Sequence, residues 1–232
     1  MNRPLLKVCG ATSTADVALL AESGADVVGL WHGIPDGYAE LSLPDLATLA
    51  GAARSAGIEP MLVTFAKDVG MLTTVLRLTG IRWVQLHAYQ LPATVAGLHA
   101  ALPGELTVVK VLHIRGGKCL ERPLIKAYER AGTDLFLLDT LTADGQVGST
   151  GHALDAGDAL AVAEHATRPF LLAGGLSAGN RQDFTAVTAH PRYAGIDVDT
   201  AARDRNGRLA RSAVRGIARA WRTGERSRDE VA

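Results

Sequence analysis

A thiol and a carboxylate hold equivalent places far apart in this chain. Cys9 closes the apolar segment Leu5-Leu6-Lys7-Val8-Cys9 just before Gly10, and Asp139 closes Leu135-Phe136-Leu137-Leu138-Asp139. A thiolate can take a proton and a carboxylic acid held in an apolar site can give one, so the pair is equipped for general acid–base chemistry. Each residue alone has an ordinary explanation. Free cysteine is among the most buried residue types, and aspartate commonly caps the turn after a strand. Their shared position favours chemistry, because the catalytic groups of α/β barrels come from the carboxyl ends of strands. Lys7 alternates in phase with Cys9, which puts both side chains on one side of the strand.

Two glycine-rich segments follow, Gly148-Ser149-Thr150-Gly151 and Ala173-Gly174-Gly175-Leu176. Either serves as a tight turn. Beside the last strands of a barrel they also offer backbone N–H groups to a phosphate. Gly148, Thr150, Gly151, Gly174, Gly175 and the Thr200-Ala201 turn are therefore candidate phosphate-binding positions. Gln85-Leu86-His87 ends another strand, where His87 is a ligand, a proton carrier or a solvent-facing end residue. His32, His113 and His152 stand equally isolated, and without a clustered set of ligands no metal is expected. The charged stretch from Arg203 to Arg211 reads as a solvated start of a helix, with Arg203 or Arg205 available to a phosphate.

The elements that must position these residues alternate. Strands are expected near 5–9, 26–31, 59–65, 83–87, 107–114, 135–140, 169–174 and 194–199. Helices with apolar positions three and four apart are expected at 13–23, 44–56, 68–79, 91–102, 122–132, 155–166, 177–188 and 208–222. Ser13, Ser42 and Asp155 are placed to cap the first, second and sixth helices. Eight β-then-α units predict a single (β/α)8 TIM barrel over 1–222. An open doubly wound sheet shares the alternation. Residues 223–232 have little to bury and are expected to fray.

Charge balances at 24 basic against 24 acidic residues in 232. That balance removes the electrostatic term that nucleic-acid or anionic-membrane binding requires. Hydrophobic residues make up 47%, yet no run reaches the ~18 residues of a membrane span. Met1-Asn2-Arg3-Pro4 leads straight into the first strand with no apolar signal region, so a cytoplasmic location is expected. Cys9 and Cys119 lack a framework spacing and are expected to be free thiols.

Taken in order, these motifs resemble the phosphoribosylanthranilate isomerase family of tryptophan biosynthesis. The resemblance runs from about Lys7 to the last helix. It is carried by Lys7-Val8-Cys9-Gly10 with Asp16, Gly24-Ala25-Asp26 with Gly29, and Val84-Gln85-Leu86-His87. Leu138-Asp139, Gly148-Ser149-Thr150-Gly151 with Asp155, Ala173-Gly174-Gly175-Leu176 with Asn180, and Gly195-Ile196-Asp197-Val198 complete it. It implies a (β/α)8 barrel that needs no cofactor and converts an N-linked aminoaldose phosphate to an aminoketose by an Amadori rearrangement. Cys9 would be the base that takes the proton from the sugar C2, and Asp139 the acid that opens the ribose ring. Lys7, Gln85 and His87 would line the substrate site. The partner implied is a small phosphorylated aminosugar, bound by a monomer or a homodimer.

Three departures from the family pattern stand out. A Ser-Pro-Arg segment is usual after the second strand, where its arginine would pair with the anthranilate carboxylate; this chain has Ile34-Pro35-Asp36-Gly37-Tyr38-Ala39-Glu40. Ala39 is the position at which an arginine would be restored. After the eighth strand, Asp199-Thr200-Ala201-Ala202-Arg203 replaces Ser-Ser-Gly-Val-Glu, and Asp199 would repel a phosphate unless its carboxylate turns away. Leu209 follows Arg208 where an aspartate is common. Two other functions stay open: the same chemistry on a different aminosugar, and a non-catalytic barrel retained for binding.

Overall fold

Alternation along the first strand sets the architecture. In β1 (Leu5–Cys9), Leu6 and Val8 enter the apolar layer beneath the helices, whereas Lys7 and Cys9 point to the other face. The same alternation recurs around the sheet, where Val27, Met61, Val109, Val111, Leu137 and Leu171 form a separate apolar core on the inner face. A sheet buried on both faces must be covered outside by helices and closed on itself inside.

The computed structural model describes residues 3–140 and 154–222. Its strands β1, β2 (Val27–Trp31), β3 (Glu59–Thr64), β4 (Trp83–Leu86), β5 (Thr107–Arg115), β6 (Leu135–Thr140), β7 (Phe170–Leu172) and β8 (Tyr193–Val198) pair in parallel, each with the next. Pairing of β1 with β8 closes the ring, so the fold is the expected TIM barrel and the open sheet is excluded. Gly148, Thr150, Gly151 and His152, and the tail expected at 223–232, lie outside the described residues.

The helices are α1 (Thr14–Glu22), α2 (Leu43–Ser55), α3 (Val69–Thr79), α4 (Pro92–Ala101), α5 (Ile125–Ala131), α6 (Ala156–Ala163), α7 (Thr185–Thr188) and α8 (Arg211–Arg222). The three expected caps are in place. Ser13 accepts from the Asp16 N–H at 3.1 Å while Asp16 accepts from the Ser13 N–H at 3.0 Å. Ser42 accepts from Asp45 and Asp155 from Asp158.

The last two helices start later than the periodicity indicates, because side chains capture the backbone ahead of them. Asn180 accepts from the Ser177 N–H and donates to the Gly175 carbonyl, leaving a 3₁₀ turn at Arg181–Phe184 and a single α turn after it. Asp204 accepts from the N–H groups of Asn206 and Arg208 and so holds a turn in front of α8. Leu209 in that segment is buried, which accounts for an apolar residue there. One element was not anticipated. Gly116 and Gly117, both at positive φ, turn β5 back into a two-residue antiparallel strand, Lys118–Cys119.

Closure depends on one glycine. Gly195 sits opposite Leu5 in the β1–β8 pairing with φ at 149°, and a Cβ there would lie 2.2 Å from the Leu5 carbonyl oxygen. A backbone atom cannot be displaced cheaply. Gly195→Ala is expected to cost more than about 3 kcal/mol of stability, measured as a lowered urea midpoint or lost soluble yield. A variant within 1 kcal/mol of wild type, to order of magnitude, would contradict this account of closure.

Candidate active site

Register brings together residues that the sequence keeps far apart. Lys7 is the direct partner of Asp197 across the β1–β8 seam, and Cys9 is the partner of Gly29 across β1–β2. The Lys7 ammonium is fully buried and donates to Asp197 Oδ2 at 2.7 Å and to Cys9 Sγ at 2.9 Å. A Cβ on Gly29 would come within 2.5 Å of Cys9 Sγ, so the glycine makes room for the sulfur. Trp31, at the end of β2, directs its indole N–H to the same sulfur at 3.5 Å.

On the other side of the mouth stands Asp139 in β6, with His87 just beyond the end of β4. Gln85 Nε2 lies 2.6 Å from His87 Nδ1. An amide N–H donating there leaves the ring proton on Nε2, which faces Asp139 Oδ2 at 3.6 Å. That separation is too long for a direct hydrogen bond. His87 Nε2, Gln85 Oε1 and Asp197 Oδ1 are buried without a protein partner. Lys110 fixes this side from outside the ring by donating to the carbonyls of Ala88 at 2.6 Å and Val111 at 2.8 Å.

The electrostatics follow from burial and from these neighbours. Burial alone would lower Lys7, but Asp197 and Cys9 together, through charge and hydrogen bonds, more than reverse this and hold the ammonium charged. Burial pushes the Cys9 thiol up to about 12; Asp197 adds to the rise and Lys7 opposes it. Burial also lifts Asp139 to about 6, helped by the Asp197 carboxylate. His87 is driven well below its ordinary value by burial and by nearby cationic groups, so its ring is neutral. A carboxyl that keeps its proton up to about pH 6 and a thiol that needs added positive charge to ionise therefore share one mouth.

A single cavity joins them. Cys9, His87, Asp139, Asp197 and Asp199 are among the residues that line it, and the Gly174-Gly175 and Thr200-Ala201 turns form part of its wall. Gly148, Thr150 and Gly151 of the expected phosphate set lie outside the described residues. Lys7 reaches the cavity through Cys9 and Asp197 and Gln85 through His87, so they support the site and do not line it. Asp199 does turn its carboxylate to partners: Oδ1 accepts from Arg203 Nε at 2.7 Å and Oδ2 from the Tyr38 hydroxyl.

Some expectations need correction. Arg203 is not part of a solvated start of a helix; besides holding Asp199, its guanidinium donates to the Gly10 carbonyl at 2.9 Å and packs over the Tyr38 ring. His113 is not isolated, because the Gly116-Gly117 turn brings Glu121 within 2.6 Å of its Nδ1. A glycine pair between two short extended runs is a hairpin signal, and that signal was present in the sequence. Ala39 is fully buried beside Cys9, Trp31, Ile34 and Val63, so an arginine cannot be restored there without unpacking that cluster. Asp197 and Trp31 acquire their places only through pairing across strands. Cys9 and Cys119 are free thiols, as expected. Among the described residues there is no group of three or more His, Cys, Asp or Glu able to hold a metal ion, and no helix long and apolar enough to cross a membrane.

Fold and site together define a class: a (β/α)8-barrel enzyme with an acid and a thiol facing one another at the carboxyl rim and backbone-lined loops after β7 and β8. The sequence model of N-(5′-phosphoribosyl)anthranilate isomerase matches residues 6–207. The chain is similar to N-(5′-phosphoribosyl)anthranilate isomerase 2 of Methanosarcina mazei, 30% identical over 87% of each protein. Its fold matches that of phosphoribosylanthranilate isomerase from Thermus thermophilus with a TM-score of 0.76 at 18% identity, covering 93% of this chain and 97% of the other. It also matches a phosphoribosylanthranilate isomerase in complex with reduced 1-(o-carboxyphenylamino)-1-deoxyribulose 5-phosphate, with a TM-score of 0.72 at 20% identity over 94% and 97% of the two chains. This chain belongs to the N-(5′-phosphoribosyl)anthranilate isomerase family, whose members are aldose–ketose isomerases.

The raised value of Asp139 has a consequence for stability. A folded-state value near 6 exceeds the unfolded value of about 4. The folded form therefore prefers the proton, and Asp139 favours folding fully below about pH 4 but loses that contribution as pH rises through about 6. Asp139→Asn, which cannot ionise, is expected to be more stable than wild type by about 2–3 kcal/mol at about pH 8. The gain should vanish near pH 4. Urea unfolding of both proteins at the two pH values measures it, and an equal difference at both would contradict the buried acid.

Proposed function

We propose that this enzyme isomerises N-(5′-phosphoribosyl)anthranilate, with Asp139 as general acid and Cys9 as general base. The observation that carries the proposal is the placement of these two groups on one cavity whose wall also includes the Gly174-Gly175 and Thr200-Ala201 turns, beside the carboxylate of Asp199 that Arg203 and Tyr38 hold. The solved relative that holds a carboxyphenylamino deoxyribulose phosphate supports the choice of substrate class. With the phosphate on the β7 and β8 loops, the sugar lies across the mouth between β1 and β6.

Asp139 donates its proton to the ring oxygen as the bond from that oxygen to C1 breaks, and the nitrogen lone pair forms a C1=N iminium. The positive charge so created lies beside Cys9 and favours its thiolate, which burial otherwise suppresses. The thiolate takes the proton from C2, the C2–H electrons form the C1=C2 bond, and the iminium is neutralised to an enaminol. Proton transfer to C1 with loss of the hydroxyl proton gives the ketone. The proton that Cys9 gives up on ionising passes through solvent to the emptied Asp139 carboxylate, and the C2 proton restores the thiol, so both groups end as they began. Neutral His87 presents an N–H at the cavity beside Asp139 and orients a substrate oxygen bound there. Lys7, held by Asp197, keeps a fixed positive charge against the sulfur.

Cys9→Ser and Asp139→Asn are each expected to lower kcat by about 10²–10⁴-fold on phosphoribosylanthranilate while the protein stays folded. The wild-type gene is expected to rescue a tryptophan auxotroph that lacks the isomerase. Near-wild-type turnover in either variant would remove that residue from the mechanism. A second reading rests on the missing cation: the Ile34–Glu40 loop offers no arginine, and Ala39 is buried. An enzyme moved to another arylamine would turn over the phosphoribosyl derivative of aniline better than that of anthranilate.

The phosphate placement is tested separately. Soaking crystals with inorganic phosphate or sulfate is expected to place the anion against the backbone at Gly174, Gly175, Thr200 and Ala201. An anion bound elsewhere, with this wall empty at high concentration, would overturn the placement.

A further inference from the structure

The Ile34–Glu40 loop lacks the arginine of its family, yet it is closely built around one side chain. The Glu40 carboxylate accepts from the backbone N–H groups of Gly33 at 2.8 Å and Ile34 at 3.0 Å, and the Leu41 N–H bonds back to the Trp31 carbonyl at 3.0 Å. Ile34, Ala39 and Val63 pack around Trp31 and Cys9, and the Tyr38 ring lies 4.9 Å from the Trp31 ring at 60°. Tyr38 is itself anchored through Asp199 and Arg203. The indole is held on every side, with only its N–H committed to a polar partner, the sulfur of Cys9.

An indole N–H is a donor only. It can stabilise a thiolate and cannot accept from a thiol, so its effect on the sulfur has one sign. Lys7, the other donor on Cys9, divides its charge between the sulfur and Asp197. The sulfur thus faces a compensated cation on one side and an uncompensated N–H dipole on the other. We propose that Trp31 is a positioning residue for the base, its N–H serving as a second donor that stabilises the Cys9 thiolate, with the Ile34–Glu40 loop folded to hold it there. The proposal rests on the reading of Cys9 as the base.

Trp31→Phe keeps the ring packing and deletes the donor. Made in a Cys119→Ser background, so that Cys9 is the thiol that reacts, it is compared with that background alone for alkylation by iodoacetamide, for kcat and KM, and for the pH dependence of kcat. The expected result is alkylation and kcat each slower by about tenfold at about pH 8, since both follow the thiolate fraction. KM should be nearly unchanged, and the rising limb of kcat should move to higher pH. Replacing the indole N–H by sulfur, with benzothienylalanine at position 31, preserves shape more closely and should reproduce the loss even if phenylalanine loosens the loop. Unchanged alkylation and pH dependence in the benzothienyl protein would overturn the proposal, as would a loss of kcat with thiol reactivity intact. Cys9→Ser with wild-type activity would overturn the base assignment and this inference together. An inactive Cys9→Ser beside an unaffected position-31 variant would overturn only the inference.

Discussion

A single buried ammonium organises the mouth of this barrel. Lys7 has no solvent and two anion-stabilising tasks, pairing with Asp197 across the closing seam and donating to Cys9 on its own strand. Removing Asp197 would leave the ammonium in a medium that cannot solvate it, a cost of about 3–5 kcal/mol. The contact that closes the ring is therefore also the contact that sets the protonation of the thiol. Fold and chemistry are coupled at that point, and the coupling explains why Asp197 belongs to the site although it need not touch a substrate.

Opposite this charged side, the acid is shaped by desolvation. Among the described residues no cation touches Asp139; burial and the Asp197 carboxylate keep its proton available near neutrality. His87, held neutral with its tautomer set by Gln85, adds a donor beside the acid without adding charge. The result is an asymmetric mouth. A fixed cation stands by the sulfur, while desolvation and a second carboxylate act on the carboxyl, an arrangement that pushes two titratable groups toward different roles.

The loops in which the chain departs from its family are not loosened versions of a family site. Asp199, Arg203 and Tyr38 form a connected set that ties the loop after β8 to the loop after β2, and Arg203 continues to the carbonyl of Gly10 behind Cys9. The aspartate that seemed hostile to a phosphate is matched by the arginine four residues later. Ala39 is buried because the loop packs inward over Trp31, and a loop so packed has no place for a long cation at that point.

Local pattern was enough to specify the eight βα units, the three helix caps and the strand-end positions of Cys9 and Asp139, because periodicity, capping and turn chemistry act over a few residues. Lys7 and Cys9 on one face followed from alternation alone. Residues whose meaning lies in a partner across the sheet were not legible. Lys7 and Asp197 are 190 positions apart and meet because β1 and β8 are in register. Trp31 reaches Cys9 because β1 and β2 pair with Gly29 opposite the sulfur. Arg203 looked like a surface charge until the loops after β1, β2 and β8 converged on it. Closing a ring brings the two ends of the chain into contact, and register then decides which side chains share its interior. Neither is encoded within a window of neighbouring residues, so the elements and the catalytic candidates belong to the sequence, while the charge pairings and donors that tune them belong to the closed barrel.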